Sequence, residues 1–380
     1  MNSTKLAGIY IHIPFCVKKC LYCDFLSFSN MENRCGEYTE ALLREIKFVD
    51  YSKPVDSIFF GGGTPSVMDS RYIENIMEGI YSRFDIADDC EITMEVNPAT
   101  LTKDNLNGYI RAGINRVSIG MQSTNDAELK ALGRIHLYQD FLKAYDDVRN
   151  VGITNVNVDI MSAIPGQTVS SYEDTLRRVT RLKPEHISSY SLIIEEGTPF
   201  YEMDKKGKLI LPGEDDERKM YYMTNDILKD SGYARYEISN YSTEEHESRH
   251  NIKYWTRQDY IGLGLGASSL MGNERYSNTT DMENYIMNAG NRDIRVDVTQ
   301  LTRKDIIEET MYLGLRMMSG VNKKKFYDDF GVSLEKVYGN VIKKLEREKL
   351  VKNEVESLGL TELGVDISNR VLAEFLLDIL

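Results

Sequence analysis

The sequence predicts an α/β protein in which a partial (β/α)6 barrel, similar to a TIM barrel, is followed by a smaller, mostly helical domain. Short β-branched segments alternate with longer amphipathic segments through the first half of the chain, which is typical of a parallel sheet with right-handed crossovers. Glycine-rich and polar segments follow several predicted strands, at the edge where such barrels build their sites. From about Pro199 onwards this alternation stops, and helical patterns dominate residues 301–380.

Six segments of the first half have strand character, and helical patterns fill the intervals between them. The predicted strands cover residues 8–13, 57–60, 91–96, 116–120, 155–160 and 186–192. The predicted helices cover residues 37–49, 69–81, 102–112, 126–132, 141–151 and 171–181. An open doubly wound sheet is the alternative, but it would gather ligands at a single switch point. Here the polar residues follow successive strands, which favours a barrel, and the barrel is incomplete because the sixth strand is the last clear one.

The second half of the chain has a different pattern. Residues 213–229 form a charged helical pattern, and residues 233–278 are rich in Tyr, Gly and Asn. Helical patterns at 302–317, 323–330 and 333–349 precede a short ribbon at 350–360 and a final helix at 365–380, an order that resembles a winged helix. We therefore expect a core domain at residues 1–230, a linking segment at 231–300 and a C-terminal domain at 301–380.

Charge and cysteine content disfavour several classes of protein. The 380 residues include 46 Lys and Arg against 59 Asp and Glu, and the net charge of −13 disfavours binding to nucleic acid. Five cysteines, three of them clustered, do not make the disulfide framework of a secreted protein, so we expect a cytoplasmic protein. The apolar stretch at 9–15 is too short for a membrane span. A homodimer and a peripheral membrane contact are compatible with the sequence.

Three cysteines lie close together near the N-terminus. Cys16, Cys20 and Cys23 are separated by three and two residues, so one short loop can carry all three thiolates. Iron–sulfur clusters and structural zinc sites normally use four protein ligands, and zinc sites usually use two separated pairs. Three thiolates without a downstream pair favour an iron–sulfur cube that keeps one iron free of protein ligands. Zinc binding is the alternative.

A run of three glycines follows the second predicted strand. Glycines at positions 61–63, before Thr64 and Pro65, let the backbone approach a ligand without an intervening Cβ. The run lacks the Lys-Ser/Thr pair of a P-loop and the spacing of a dinucleotide fingerprint. Alone it is weak evidence, because tight turns between strands and helices also need glycine.

Together, the cysteine motif and the glycine run resemble the radical S-adenosylmethionine (SAM) superfamily. Further phrases occur in the order typical of its oxygen-independent coproporphyrinogen III oxidase family: YIHIPFC at 10–16, GGGTP at 61–65, EVNP at 95–98, SIGMQS at 118–123, GRIH at 133–136, NVDIM at 157–161 and IPGQT at 164–168. The resemblance implies a [4Fe-4S] cluster on Cys16, Cys20 and Cys23, with SAM on the open iron. In that superfamily an electron from the cluster cleaves SAM to a 5′-deoxyadenosyl radical.

The same resemblance implies which residues contact SAM. Glu95 and Asp159 would accept hydrogen bonds from its ammonium group or ribose hydroxyls, and Arg134 would pair with its carboxylate. Without the motifs, either carboxylate could equally cap a helix, and the arginine would more often form a surface ion pair. The full implied set is Tyr10, Tyr22, Gly62, Gly63, Thr64, Glu95, Gln122, Arg134, Asp159 and Ile193.

Three features favour the haem-chaperone (HemW) branch of this family over the oxidases. In the oxidases the motif continues to a fourth cysteine and a longer segment precedes it, whereas here Phe25 stands at that position and fifteen residues precede Cys16. The run HNIKYW, which starts at His250, resembles the HemW pattern, and haem iron accepts His ligands. We therefore expect haem to bind His250, with core packing as the alternative role of this run.

The predicted function is haem handling. A chaperone of this type would bind a [4Fe-4S] cluster, SAM and haem, use an electron donor for the cluster, and deliver haem to haem-accepting proteins. The alternative is oxidative decarboxylation of coproporphyrinogen III by radical SAM chemistry. A third hypothesis makes the C-terminal module a protein-docking surface and the cluster a redox sensor or dimerisation element. The sequence does not identify catalytic residues.

Overall fold

The computed structural model describes residues 6–377, with one twelve-stranded sheet, helices around it, and a small three-stranded sheet near the C-terminus. The strands are β1 (Ala7–Ile13), β2 (Phe15–Cys16), β3 (Phe28–Ser29), β4 (Val55–Gly62), β5 (Ile86–Val96), β6 (Arg116–Gln122), β7 (Asn155–Ser162), β8 (His186–Ser191), β9 (Ala234–Arg235), β10 (Asn240–Ser242), β11 (Tyr260–Leu263), β12 (Ser268–Met271), β13 (Glu274–Asn278), β14 (Arg295–Gln300), β15 (Val321–Asn322), β16 (Val351–Asn353) and β17 (Ser357–Leu360). The helices are α1 (Cys35–Phe48), α2 (Ser70–Arg83), α3 (Lys103–Arg111), α4 (Asp126–Ala131), α5 (Tyr138–Asn150), α6 (Val169–Leu182), α7 (Pro199–Lys205), α8 (Glu214–Asp230), α9 (Arg249–Trp255), α10 (Met282–Asn288), α11 (Arg303–Gly314), α12 (Lys323–Phe330), α13 (Leu334–Arg347), α14 (Glu362–Asp366) and α15 (Ser368–Ala373).

Parallel strands form the centre of the large sheet, in the order β11-β1-β4-β5-β6-β7-β8. Six of them are the strands that the alternating pattern predicts, and β11 adds a seventh beside β1. Antiparallel strands extend both sides, with β12, β13 and β14 beyond β11, and β10 and β9 beyond β8. In the described part of the chain, β14 and β9 end the sheet without pairing to each other. The predicted α/β fold with a partial barrel is confirmed.

The helices of the first half bury one apolar face in the main core. In α6 the Thr168 side chain caps the helix by accepting a hydrogen bond from the Ser171 N–H, and Tyr172, Leu176 and Val179 are fully buried at helical spacing. Because only one face of each helix is buried, the helices pack on the outside of the sheet. The candidate site is therefore built at the ends of the strands. Between residues 6 and 377, no helix has both the length and the apolar character needed to cross a bilayer.

The segment 231–300, which the sequence predicts as a link, is part of the large sheet. It supplies β11 to β14, and β11 pairs in parallel with β1. A buried carboxylate secures this segment from the helix side. Glu45 of α1 accepts hydrogen bonds from the Gly264 N–H at 2.8 Å, from Asn278 at 2.6 Å and from the Tyr285 hydroxyl at 2.6 Å. The domain boundaries at 230 and 300 stay predictions.

A second hydrophobic core lies within residues 307–375. The helical patterns at 302–317, 323–330 and 333–349 correspond to α11, α12 and α13, and the ribbon corresponds to β16 and β17, which β15 joins. The winged-helix arrangement stays a prediction. The final helix predicted at 365–380 is instead two short helices that meet at Ile367, whose φ of −114° is not helical. Residues 378–380 of that prediction lie outside the described residues.

The packing of β11 against β12 can be tested at Gly262. A Cβ there would lie 2.2 Å from the backbone oxygen of Ser268, so Gly262→Ala should lower the free energy of unfolding by about 1–3 kcal/mol. Gly339 in α13 is the matched control, because a Cβ there meets nothing within 4 Å. Gly339→Ala should stabilise the protein by roughly 0.5–1 kcal/mol. Thermal and denaturant unfolding, followed by circular dichroism, measure both changes. An equal effect at the two positions would contradict the placement of β11.

Candidate functional site

The three clustered cysteines lie on one loop at the rim where β1 and β4 to β8 end. Cys16 is buried and belongs to β2, which pairs with β3, while Cys20 and Cys23 are half-buried, and all three are free thiols. Cys16 Sγ lies 3.4 Å from Thr64 Oγ1, and Cys20 Sγ lies 3.7 Å from a guanidinium nitrogen of Arg134. The sulfurs therefore contact different elements of the rim.

This arrangement suits a cube better than a single metal ion. Within residues 6–377, no three His, Cys, Asp or Glu side chains converge on one point where an ion could bind. A cube has no such requirement, because each thiolate binds a different iron atom. Burial raises the pKa of the Cys23 thiol to about 11, with smaller contributions from Cys20 and Cys16, so the thiols are close enough to influence one another. A bound metal centre would hold them as thiolates.

The glycine run packs directly against the cysteine loop. The N–H of Gly63 donates to the Ile13 carbonyl at 2.8 Å, and the N–H of Thr64 donates to the Phe15 carbonyl at 2.8 Å. A Cβ on Gly63 would lie 2.7 Å from that Phe15 oxygen, and Gly62 has a φ of +106°, which favours glycine. Because these N–H groups are used within the protein, a ligand here would have to bind through carbonyl oxygens or side chains.

A cavity of about 490 Å³ opens inside the barrel beneath this loop. Two half-buried carboxyl groups, of Glu95 at the end of β5 and Asp159 in β7, line it. Burial, and secondarily the charge of Asp159, raise the pKa of Glu95 to about 8. Asp159 accepts hydrogen bonds from Ser118 at 3.1 Å and from Asn157 at 2.7 Å, and burial raises its pKa as well. The cavity thus holds acceptors suited to a cationic ligand.

Arg134 joins the rim of β6 to the cysteine loop. Its guanidinium donates to the Gly120 carbonyl at 2.5 Å and contacts Cys20 Sγ and the Tyr22 hydroxyl. Gln122 ends β6 with a φ of +69°, an uncommon backbone conformation for a residue other than glycine. The Arg134 guanidinium therefore lies beside the thiols, near the cavity that Glu95 and Asp159 line.

The radical SAM superfamily model matches residues 10–179, and the HemN C-terminal domain model matches residues 301–367. The protein named heme chaperone HemW from Lactococcus lactis subsp. lactis is 36% identical over 374 residues, which cover 98% of both chains. The chain belongs to the HemW family of the radical SAM superfamily. The heme chaperone HemW of Bacillus subtilis is 35% identical over 98% of this chain and 99% of its own length. The coproporphyrinogen III oxidase HemN of Escherichia coli has a TM-score of 0.86 at 22% identity, covering 99% of this chain and 91% of its own, which shows a shared fold.

The structure brings together most of the residues that the HemW and radical SAM resemblance implies for SAM. Tyr10, Gly62, Glu95 and Asp159 line the barrel cavity. The others at the rim are those described above, namely Tyr22, Gly63, Thr64, Gln122 and Arg134. Ile193 is the exception: it follows β8, is 66% exposed and does not line the cavity. Membership of the superfamily implies a [4Fe-4S] cluster and SAM, and the cysteine loop fits the former.

His250 lines the barrel cavity, and a hydroxyl group lies beside each of its ring nitrogens. Its Nδ1 lies 3.1 Å from the Ser57 hydroxyl, and its Nε2 lies 2.8 Å from the Tyr254 hydroxyl. The ring stacks on Phe59 at 5.3 Å, is buried, and has a pKa lowered to about 3 by that burial. It packs against Gly8, at the opposite end of β1 from the cysteine loop. Both ring nitrogens thus have hydroxyl partners in the absence of a ligand. Haem binding to His250, and the alternative of core packing, stay predictions.

The sequence patterns did not predict the polar residues at the base of the barrel cavity. Arg116 is 2% exposed and lines the cavity, with one hydrogen bond of 3.5 Å to Thr93, while its Nε has no partner among the described residues. His186 lies 2.6 Å from Asn157 and 2.8 Å from the Tyr236 hydroxyl. These residues alternate along β6, β7 and β8. The sequence pattern that could have identified them is a polar residue at every second position of otherwise apolar strands.

Glu95 should make stability depend on pH when no ligand is added. Its pKa in the folded chain, about 8, lies above the ordinary value of 4.5, so folding favours the protonated form and stability falls as the pH rises between these values. Glu95→Gln removes this loss while keeping the side-chain shape. Its thermal midpoint should be near that of the wild type at pH 5 and above it at pH 9. Glu354→Gln, at an exposed position, is the control. A stabilisation by Glu95→Gln that shrinks towards pH 9 would show that the carboxyl group is not protonated in the fold.

Proposed function

We propose that this protein is a haem chaperone that binds a [4Fe-4S] cluster and SAM at the barrel rim and delivers haem to haem-accepting proteins. The observation that supports the proposal most strongly is the 36% identity to the heme chaperone HemW of Lactococcus lactis subsp. lactis over 98% of both chains. Phe25 adds support, because it stands where the oxidases carry a fourth cysteine. It is 63% exposed and lines the mouth of the barrel cavity.

Cys16, Cys20 and Cys23 would hold three irons of the cluster and leave the fourth to SAM. When bound, the cluster supplies single electrons, which an external donor would replenish. The Arg134 guanidinium, already in contact with Cys20 Sγ, is placed to pair with the SAM carboxylate close to the open iron.

The barrel cavity supports the other half of the SAM molecule. Glu95 and Asp159 line this cavity and can accept hydrogen bonds from the ammonium group or the ribose hydroxyls. A cationic ligand near Glu95 would favour its carboxylate form, so SAM binding is expected to release the proton that burial retains. Arg116, at the base of the cavity, partly balances the two negative charges.

Oxidation of coproporphyrinogen III is the competing function. The similarity to the HemN oxidase is 22% in sequence and concerns the fold, and the curated relatives that cover the whole chain carry the chaperone name. The identity to relatives named heme chaperones over nearly the full chain therefore supports haem handling over decarboxylation.

Anaerobic reconstitution of the full chain with iron and sulfide separates the two functions. The loaded protein should bind added haem, transfer it to the apoprotein of a haem protein, and fail to decarboxylate coproporphyrinogen III in the presence of SAM and a reductant. Iron analysis, haem absorbance and porphyrin fluorescence on one sample measure these three properties.

Cysteine variants control for the cluster in this experiment. Cys16→Ala should lose most of the iron, whereas Cys90→Ala, which changes a buried cysteine outside the loop, should keep it. Turnover of coproporphyrinogen III by the loaded protein would contradict the chaperone proposal. So would a loaded protein that binds no haem.

A further inference from the structure

The geometry points to a haem-binding cavity between the barrel and the C-terminal helices, separate from the SAM cavity. This inference rests on the proposed haem-chaperone function. The cavity has a volume of about 540 Å³ and lies between the end of α9, the turn from β12 to β13, α11 and α12. Its walls contain Trp255 from α9, Ile306 from α11, and Phe326 and Phe330 from α12. Flat aromatic side chains from α9 and α12, with an aliphatic one from α11, suit a flat apolar macrocycle.

The rim of this cavity carries positive charge that could pair with the propionates of haem. Arg303 is exposed at the rim, and within residues 6–377 it has no carboxylate at ion-pair distance. Its guanidinium donates to the Phe330 carbonyl. Lys325 lies on the same rim and pairs with Asp329 at 2.5 Å. In a chain of net charge −13, an arginine without a carboxylate partner beside an aromatic cavity suits an anionic apolar ligand.

The floor of the cavity shows two features that are common at functional sites. Arg257 has a φ of +52°, and although its Nε donates to Glu309 at 2.9 Å, its Nη2 is buried without a partner among the described residues. Trp255 carries the Arg316 guanidinium over its ring at 4.3 Å. Trp255 also ends the run that begins at His250, so this run reaches the cavity at its other end.

Met317 is the lining residue that can act as an iron ligand. Haem iron takes His, Cys, Met or Tyr ligands, and Met317 is the one side chain of these types among the described residues that line the cavity. A single thioether ligand would leave the opposite face of the iron open. An acceptor protein could bind that face and remove the haem, as a chaperone requires.

The barrel cavity is the competing location. His12, His186 and His250 line it, so it offers imidazole groups that can bind haem iron. Burial raises the pKa of Glu95 to about 8, so this carboxyl group is largely neutral at pH 7 and would not repel the propionates. The argument against this location is space: the proposed SAM site occupies the same cavity, so a chaperone that binds SAM and haem together needs a second cavity for haem.

Ferric haem titration of the anaerobically reconstituted full chain tests this location. Thr310 of α11 lines the cavity, and Thr310→Phe should fill it and weaken haem binding at least tenfold, with iron content and SAM binding unchanged. Arg303→Gln, at an exposed position, should weaken haem binding by about tenfold because a charge-assisted hydrogen bond is lost. Met317→Leu should shift the haem absorption band with a smaller change in affinity.

Two control variants make the test decisive. Arg71→Gln removes an exposed arginine that does not line this cavity, and it should leave haem affinity unchanged. His250→Ala should leave the haem absorption band unchanged, because His250 does not line this cavity. Unchanged affinity in both Thr310→Phe and Arg303→Gln, while the wild type binds haem, would overturn this location and leave the chaperone proposal standing. A wild type that binds no haem would overturn both.

Discussion

Two backbone hydrogen bonds, from Gly63 to Ile13 and from Thr64 to Phe15, hold the turn after β4 against the loop after β1. The rest of the site depends on this contact, since it places Cys16 beside Thr64 and so fixes the position of the cysteine loop at the barrel rim. The contact is possible because a glycine at position 63 leaves no Cβ to collide with the Phe15 oxygen. Parallel pairing from β1 through β4, β5 and β6 to β7 brings the strand ends to the same rim, so the thiols and the carboxyl groups of Glu95 and Asp159 face one region.

The lining residues distinguish the two cavities of the protein. The barrel cavity is lined by the half-buried carboxyl groups of Glu95 and Asp159 and, among the described residues, by one arginine, Arg116. The second cavity combines aromatic and aliphatic side chains with polar ones, and Arg303, Lys325 and Asp329 lie at its rim. Under the proposed function, a cationic sulfonium ligand and an anionic macrocycle would bind in different places and could be present together. The C-terminal helices would then be part of a ligand site, because α11 and α12 form half of the second cavity.

Local patterns predicted the six strands of the barrel half and the cysteine loop, because βα alternation and motif spacing are encoded within short segments. They did not predict β11, a four-residue strand that pairs with β1 from far along the chain, since such pairing depends on the tertiary fold. Arg116 and His186 were missed for a related reason: alternation shows two faces of a strand but does not tell which face lines the lumen. For His250, the motif identified an important segment, but only the structure shows that Ser57 and Tyr254 occupy both ring nitrogens. Ile193 was predicted to contact SAM from the family resemblance alone. It is 66% exposed, and it follows the last barrel strand, where strand pairing no longer fixes the position of a residue.

The central claim is that the cysteine loop holds a cube with one iron open to SAM. Electron paramagnetic resonance of the reduced, anaerobically reconstituted protein, recorded with and without SAM, tests it most directly. We expect the signal of a [4Fe-4S] cluster whose g-values change when SAM is added, because the amino and carboxylate groups then bind the open iron. A spectrum that SAM leaves unchanged, or reconstituted protein that holds zinc in place of iron, would contradict the claim.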